Sequence, residues 1–317
     1  MNRLIVILIL LASSIGCVVW WNYHTVKQQT VSCSNINVVC TTTIVADVVY
    51  RLAGTCVALH TLMGPGIDPH LYKAKPSDMH LLTHADLIIY NGLHLEGKIA
   101  DVLASLATHK KVINIGSLLD VQHLIKRDNV YDPHIWHDVQ LWQQAVKIIY
   151  ATLVTLVPAE YHAILESNYE AYMHELTQLD GYIKGKIHEI PREQRRLVTA
   201  HDAFSYFGRA YGIEVIGLQG ISTDAQVGIQ DVNRLVHYLI THKVPALFVE
   251  SSIPQRTLEA VQQAAAAQGH TVTIGGELLS DALGDADSAT DSYSAMMKHN
   301  VDTIVAALNV QSLPTDE

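Results

Sequence analysis

AEYHAILESNYEAYMHELTQLDGYIKGKIHE, residues 159–189, lies mid-chain and decides how the rest is read. Its apolar side chains Tyr161, Leu165, Tyr172, Leu176, Leu179, Ile183 and Ile187 recur mostly at steps of three and four. That spacing places them on one face of an α-helix. Pro158 stands at its start and Pro191 just past its end, where helices tolerate or require proline. About thirty helical residues at 1.5 Å each span ~45 Å, enough to run along two domains. A helical connection is stiffer than a pair of extended strands. It therefore predicts small movements of the parts it joins, not a wide hinge.

On both sides of this segment short apolar runs alternate with helical stretches. Strand-length runs lie at 38–42, 57–63, 87–90 and 112–115, with helices such as 44–52 and 95–106 between them. A second series follows at 197–200, 214–218, 246–249 and 272–274, separated by helices at 229–241 and 254–268. Such alternation makes parallel βαβ units. The expected fold is α/β: two lobes, each a mainly parallel sheet flanked by helices, joined by one long rigid helix. The lobes are assigned to 37–157 and 191–317 and the linking helix to 158–190. We find no internal sequence repeat and no low-complexity tract. The stretch 116–131 carries a single histidine, His123, so there is no His-rich loop.

Composition narrows the function. The 317 residues are 49% hydrophobic and 16% charged, which suits a folded chain with a sizeable core and more than one domain. Asp and Glu number 31 against 21 Lys and Arg, a formal charge of −10. An acidic chain is poorly suited to nucleic acid, whose phosphates want a basic face. Eighteen histidines raise the prospect of metal chemistry without locating it.

Residues 1–21 read as an export signal or membrane anchor, and 22–36 as a polar tether. Arg3 precedes an apolar run from Leu4 to Trp21, near the lower length that spans a bilayer. Ser14-Ile15-Gly16-Cys17 offers a second possibility, lipidation of Cys17. Gly16 fits a lipidation site; Ser14 is a poor match, since leucine is usual there. The apolar run past Cys17 favours an uncleaved anchor. Both readings stay open, and both put the folded part outside the cytoplasm and tethered to a membrane. An exported chain can carry disulfides. Of Cys33, Cys40 and Cys56 at least one is left unpaired within the chain, and Cys40, inside an apolar strand, reads as a small buried hydrophobe.

The chemistry sits in four places. Asp68-Pro69-His70 and Asp132-Pro133-His134 repeat one device. Proline fixes φ and holds the preceding residue extended, so the following histidine is aimed by a stiff backbone. A metal ligand profits from such aiming. Asp68 and Asp132 are expected to act as turn or cap residues through their own backbone bonds. The run Leu197-Val198-Thr199-Ala200 ends on His201, at the carboxyl end of a strand, where open α/β sheets bind ligands. The stretch 275–284, GGELLSDALG, reads as a carboxylate-rich loop after the last strand. Taken singly, each histidine would be assigned to core or surface.

Taken in order, the set resembles the metal-binding receptors of ABC importers for zinc and manganese. The motifs that carry the likeness are 64–72, 90–96, 132–136, 199–206, 217–220, 250–254 and 275–281, spread over nearly the whole chain from Val38 to Leu308. The resemblance implies one metal between two lobes, held by His70 and His134 from the first and His201 and Asp281 from the second. It also implies delivery to the membrane permease of the importer, by a chain expected to be a monomer. The third ligand position keeps His, where many manganese-selective relatives carry Glu. Three imidazoles and one carboxylate suit Zn²⁺ at about 2.0–2.2 Å, and also Mn²⁺ or Fe²⁺ if both carboxylate oxygens bind. Glu250, at a strand end, is the candidate partner for a ligand histidine's second ring nitrogen. His94 and His137 are not expected to be ligands, and Trp136 and Trp142 are assigned to the core. A zinc hydrolase would need an open coordination position and a general base. The chain has no His-Glu-x-x-His and no Gly-x-Ser-x-Gly motif, and nothing in it argues for an adhesin.

Overall fold

The computed structural model describes residues 36–127 and 129–309. The expected export segment with Cys17, and the tether with Cys33 up to residue 35, lie outside them. The first half runs β1 (Asn37–Cys40), α1 (Thr43–Ala53), β2 (Ala58–Thr61), α2 (Pro76–His84), β3 (Leu87–Tyr90), α3 (Ala100–Leu106), β4 (Lys111–Asn114) and α4 (Ile115–Leu118). A short antiparallel pair follows, β5 (Lys126–Arg127) and β6 (Val130–Tyr131), then α5 (Val139–Val154) and α6 (His162–His188). The second half runs β7 (Arg196–His201), α7 (Ser205–Tyr211), β8 (Glu214–Gln219), α8 (Ile229–His242), β9 (Ala246–Glu250), α9 (Arg256–Ala267), β10 (Thr273–Leu278) and α10 (Tyr293–Leu308). No helix among the described residues is long and apolar enough to cross a membrane.

The two halves repeat one topology that no sequence repeat announces. The first sheet is ordered β2-β1-β3-β4 and the second β8-β7-β9-β10, both wholly parallel. In each, the first and third strands of the half are neighbours and the connections leave in opposite directions. A crevice opens at their carboxyl ends, the usual place for a ligand. The parallel strands bury both faces. Val39 and Ile88 pack on Leu82 and Leu103 in the first half, and Val198 and Leu247 on Leu235, Leu239 and Val261 in the second.

Helix α6 is 27 residues long, ~40 Å. Its buried side chains, Leu165, Tyr172, Leu176, Leu179, Ile183 and Ile187, form the stripe expected of it. It packs against α1 and α5 on one side and α10 on the other, so it touches helices of both halves. Tyr161 sits just before it in a 3-10 turn and is buried.

Two local expectations are corrected. The helix expected over 95–106 begins only at Ala100, after a 3-10 turn at Gly97–Ile99. Within that stretch the backbone leaves the α-helical region at Glu96 (ψ 44°) and again at Ile99 (φ −118°, ψ 7°). The stretch 275–284 is not all loop, because β10 continues through Gly275 and Gly276 to Leu278. The strand's register shifts between Ile274 and Gly276, and Gly276 has φ 141°. A Cβ at Gly275 would meet Ala307 at 2.7 Å, and one at Gly276 would meet Thr303 at 2.5 Å. The glycine pair therefore lets α10 lie directly on the strand, and reads as a loop only when α10 is out of view.

Candidate metal centre

His70, His134, His201 and Asp281 come from four separate segments and converge. His70 lies in the loop after β2, His134 in the loop after β6, His201 is the last residue of β7, and Asp281 lies three residues past β10. One ligand atom from each lies within 4.8 Å of all the others. Nε2 of His134 is 3.3 Å from Nε2 of His70 and 3.3 Å from Nε2 of His201. Asp281 brings Oδ1 to 3.5 Å from His134 Nε2 and Oδ2 to 3.6 Å from His201 Nε2. A tetrahedron with bonds of about 2.0–2.2 Å has edges of about 3.3–3.6 Å, so these four separations are close to ligand spacing, and the whole set, within 4.8 Å, could hold one small cation. All four side chains are buried.

Local turns aim the first two. In both Asp-Pro-His motifs the aspartate Oδ1 accepts the backbone N–H of the histidine two residues on, at 2.8 Å for Asp68 and 3.0 Å for Asp132. The expected turn role is thus present in each, but the two aspartates differ beyond it. Asp132 Oδ1 also lies 2.7 Å from His134 Nδ1. A carboxylate only accepts, so Nδ1 carries the proton and Nε2 offers its lone pair. Asp68 instead accepts the Thr223 hydroxyl at 2.6 Å, and His70 Nδ1 has no hydrogen-bond partner among the described residues.

Glu250 does for His201 what Asp132 does for His134. Its Oε1 accepts the His201 backbone N–H at 2.9 Å and its Oε2 lies 2.6 Å from Nδ1. Ser252 donates to Asp281 Oδ2 at 3.1 Å, leaving Oδ1 without a hydrogen-bond partner among the described residues.

Burial and charge then oppose each other. Burial pushes the His70 imidazole down to about 3, only partly offset by the Asp281 carboxylate. Burial pushes His201 the same way, but Glu250 and Asp281 outweigh it and hold that imidazole well above its ordinary value. Burial disfavours charge on Asp281, yet His201, with His134 and His70, keeps its carboxyl well below the usual carboxylate range. The centre is a buried carboxylate beside three imidazoles, and a cation that displaces the His201 proton would take over the balancing of its charge.

The chain matches the ZnuA family profile, zinc-uptake complex component A periplasmic, over residues 38–307. It belongs to that family. It is 47% identical over 272 residues to the zinc-binding protein TroA of Treponema pallidum, covering 86% of this chain and 88% of TroA. It is 42% identical over 275 residues to the manganese-binding lipoprotein MntA of Bacillus subtilis, covering 86% and 90%. The manganese ABC transporter substrate-binding lipoprotein PsaA of Streptococcus anginosus is 32% identical over 291 residues, covering 89% and 92%. The solved structure of the periplasmic zinc-binding protein TroA superposes with a TM-score of 0.84 at 46% identity, covering 86% of this chain and 98% of that one. The family is one of substrate-binding components of importers, not of enzymes.

The remaining sequence candidates fall outside the cluster. His137 is fully buried, but its Nε2 faces the Ser280 carbonyl at 3.0 Å and its ring packs on Phe204 at 4.3 Å. Burial, helped by His134, pushes its imidazole down to about 3. Trp136 is buried as expected, and its Nε1–H donates to the same Ser280 carbonyl at 2.8 Å. Two donors from the first half thus fix the residue before Asp281, a role the sequence does not advertise. Trp142 is wholly buried. Glu96, at the end of the 90–96 motif, has a buried carboxylate that accepts from Thr41 Oγ1 and from the N–H groups of Asn91 and Gly92, a role its sequence position does not reveal. Asn91 in turn donates to the Pro133 carbonyl at 2.9 Å, which ties the end of β3 to the His134 loop. Cys40 is free and buried, with burial raising its thiol, whereas Cys56 is disulfide-bonded.

Proposed function

We propose that this chain captures one divalent transition metal ion, Zn²⁺ or Mn²⁺, outside the cytoplasm and delivers it to the membrane permease of an ABC-type importer. His70, His134, His201 and Asp281 are the ligands, and Glu250 orients His201. The N-terminal segment, as a retained helix or through lipid on Cys17, holds the protein at the membrane, where it works as a monomer. The observation that carries the reading is the convergence of four buried donor atoms within 4.8 Å, supplied equally by the two halves. Four protein ligands leave no fixed open position, which favours capture over catalysis. Divalent affinity in such a site favours Zn²⁺ over Mn²⁺ whichever ion the cell supplies.

Elemental analysis of the protein from its native host, beside a His201→Ala variant, tests this. One zinc or manganese per chain is expected, with affinity lost by orders of magnitude in the variant. Unchanged stoichiometry and affinity in His201→Ala would overturn the ligand set.

A further inference from the structure

We infer that Zn²⁺ reaches and leaves the four-residue centre past His70, and that His94 is a transit ligand on that route. The inference rests on the centre proposed above. A cavity of about 310 Å³ adjoins the centre. Among the described residues, His70 lines it and the other three ligands do not. His70 is also the least tethered of the histidines. His134 and His201 each have a carboxylate at the far ring nitrogen, at 2.7 and 2.6 Å, and His70 Nδ1 has no such partner among the described residues. A ring held only at its metal-facing side can swing at the least cost, so it is the ligand that parts first.

His94 lines the same cavity and is exposed to solvent. Its position is built at a cost. Three successive residues, Gly92, Leu93 and His94, take left-handed backbone, which a leucine adopts only under constraint. Several contacts hold the turn there. Glu96 accepts the N–H of Gly92, the Gly116 N–H donates to the Asn91 carbonyl at 2.8 Å, and the Leu93 side chain fills the space a Cβ on Gly116 would need. Strain that surrounding structure maintains at a cavity mouth marks function, and here what it presents is an imidazole, a good zinc ligand. The cation on the cavity wall, Arg127, is already engaged by Asp202 at 3.5 Å and Ser205 at 2.8 Å, which lessens its repulsion of an incoming ion.

A transit ligand has a kinetic signature. It lowers the barrier between free and bound ion and leaves both end states alone, so its removal slows association and dissociation by one factor and leaves Kd unchanged. Stopped-flow Zn²⁺ association and a chelator chase extrapolated to zero chelator give both rates. His94→Ala and His94→Asn should each slow both severalfold with wild-type Kd. Asparagine tolerates left-handed backbone but is a poor zinc ligand, so it separates loss of the imidazole from a backbone effect. Wild-type rates in both variants, an effect in His94→Ala alone, or a changed Kd would overturn the inference. A His201→Ala control that kept wild-type Kd would instead overturn the centre itself.

Discussion

Replacing Glu250 by Gln changes one atom at the heart of the second half and should be felt in metal affinity and in its pH dependence. Both carboxylate oxygens face His201: one accepts its backbone N–H at 2.9 Å and the other lies 2.6 Å from its ring Nδ1 as an ion-pair contact. A glutamine has one acceptor and one donor there, so one of the two N–H groups must face an N–H. Glu250 and His201 are buried, so water cannot fill in. A buried donor left without an acceptor costs about 1–3 kcal/mol. That range matches the roughly 10–100-fold loss of affinity, about 1.4–2.7 kcal/mol, that follows when the outer partner of a ligand histidine is removed. The deficit should also vary with pH. In the metal-free protein burial lowers His201, but Glu250 and Asp281 together hold it well above its ordinary value, so the arriving metal must displace a proton. Without the Glu250 charge His201 falls back, and the variant is spared that competition. The deficit is therefore largest at alkaline pH and shrinks as pH falls. Calorimetric titration with Zn²⁺ from about pH 6 to about pH 8, in buffers of different ionisation enthalpy, reads both the affinity and the protons released. The wild type should release about one proton more per metal than the variant near neutrality. Wild-type affinity in Glu250→Gln, or a deficit that does not change with pH, would refute the reasoning.

Three further outcomes follow from the structure. His137 is neutral when folded, pushed from an ordinary value of about 6.5 down to about 3, so its contribution to stability is present above about pH 6.5 and is lost as pH falls toward 3. Denaturant unfolding of metal-free protein should show His137→Phe losing about 2 kcal/mol less than wild type between about pH 7 and pH 5. Its metal stoichiometry should stay unchanged, because Trp136 still holds the Ser280 carbonyl. Small-angle scattering should give nearly equal radii of gyration with and without Zn²⁺, since α6 packs on helices of both halves; a change of several ångströms would show a wide hinge. Mass spectrometry of the mature N-terminus should find either an acylated Cys17 or an intact Met1, and a soluble product beginning beyond Trp21 would exclude both forms of anchor.

How much of this was legible in the sequence depends on the range over which each feature is encoded. The stripe of Leu165, Tyr172, Leu176, Leu179, Ile183 and Ile187 is set by steps of three and four, so periodicity alone gives α6 and the face it buries. The alternation of strands and helices likewise gives the α/β class, because each element is a local pattern. The turns that aim His70 and His134 are local too, made by an aspartate two residues back across a proline. What the chain does not write locally is which distant segments meet. The ring contact of Asp132 depends on the rotamer His134 adopts in the packed core, and the contacts of Glu250, Ser252 and Ser280 join residues 28 to 144 positions apart. The strand order brings β7 beside β9 and so Glu250 to His201, while the contacts between the halves come from how the two sheets and their helices pack on each other. The glycine pair in β10 shows the same limit. Read alone, Gly275-Gly276 breaks a strand; packed under α10, where any Cβ would collide, the two glycines are what let strand and helix meet. Sequence supplied the donors and their aim, and tertiary packing alone decided their separation, because the distance between two lone pairs is fixed by every element lying between them.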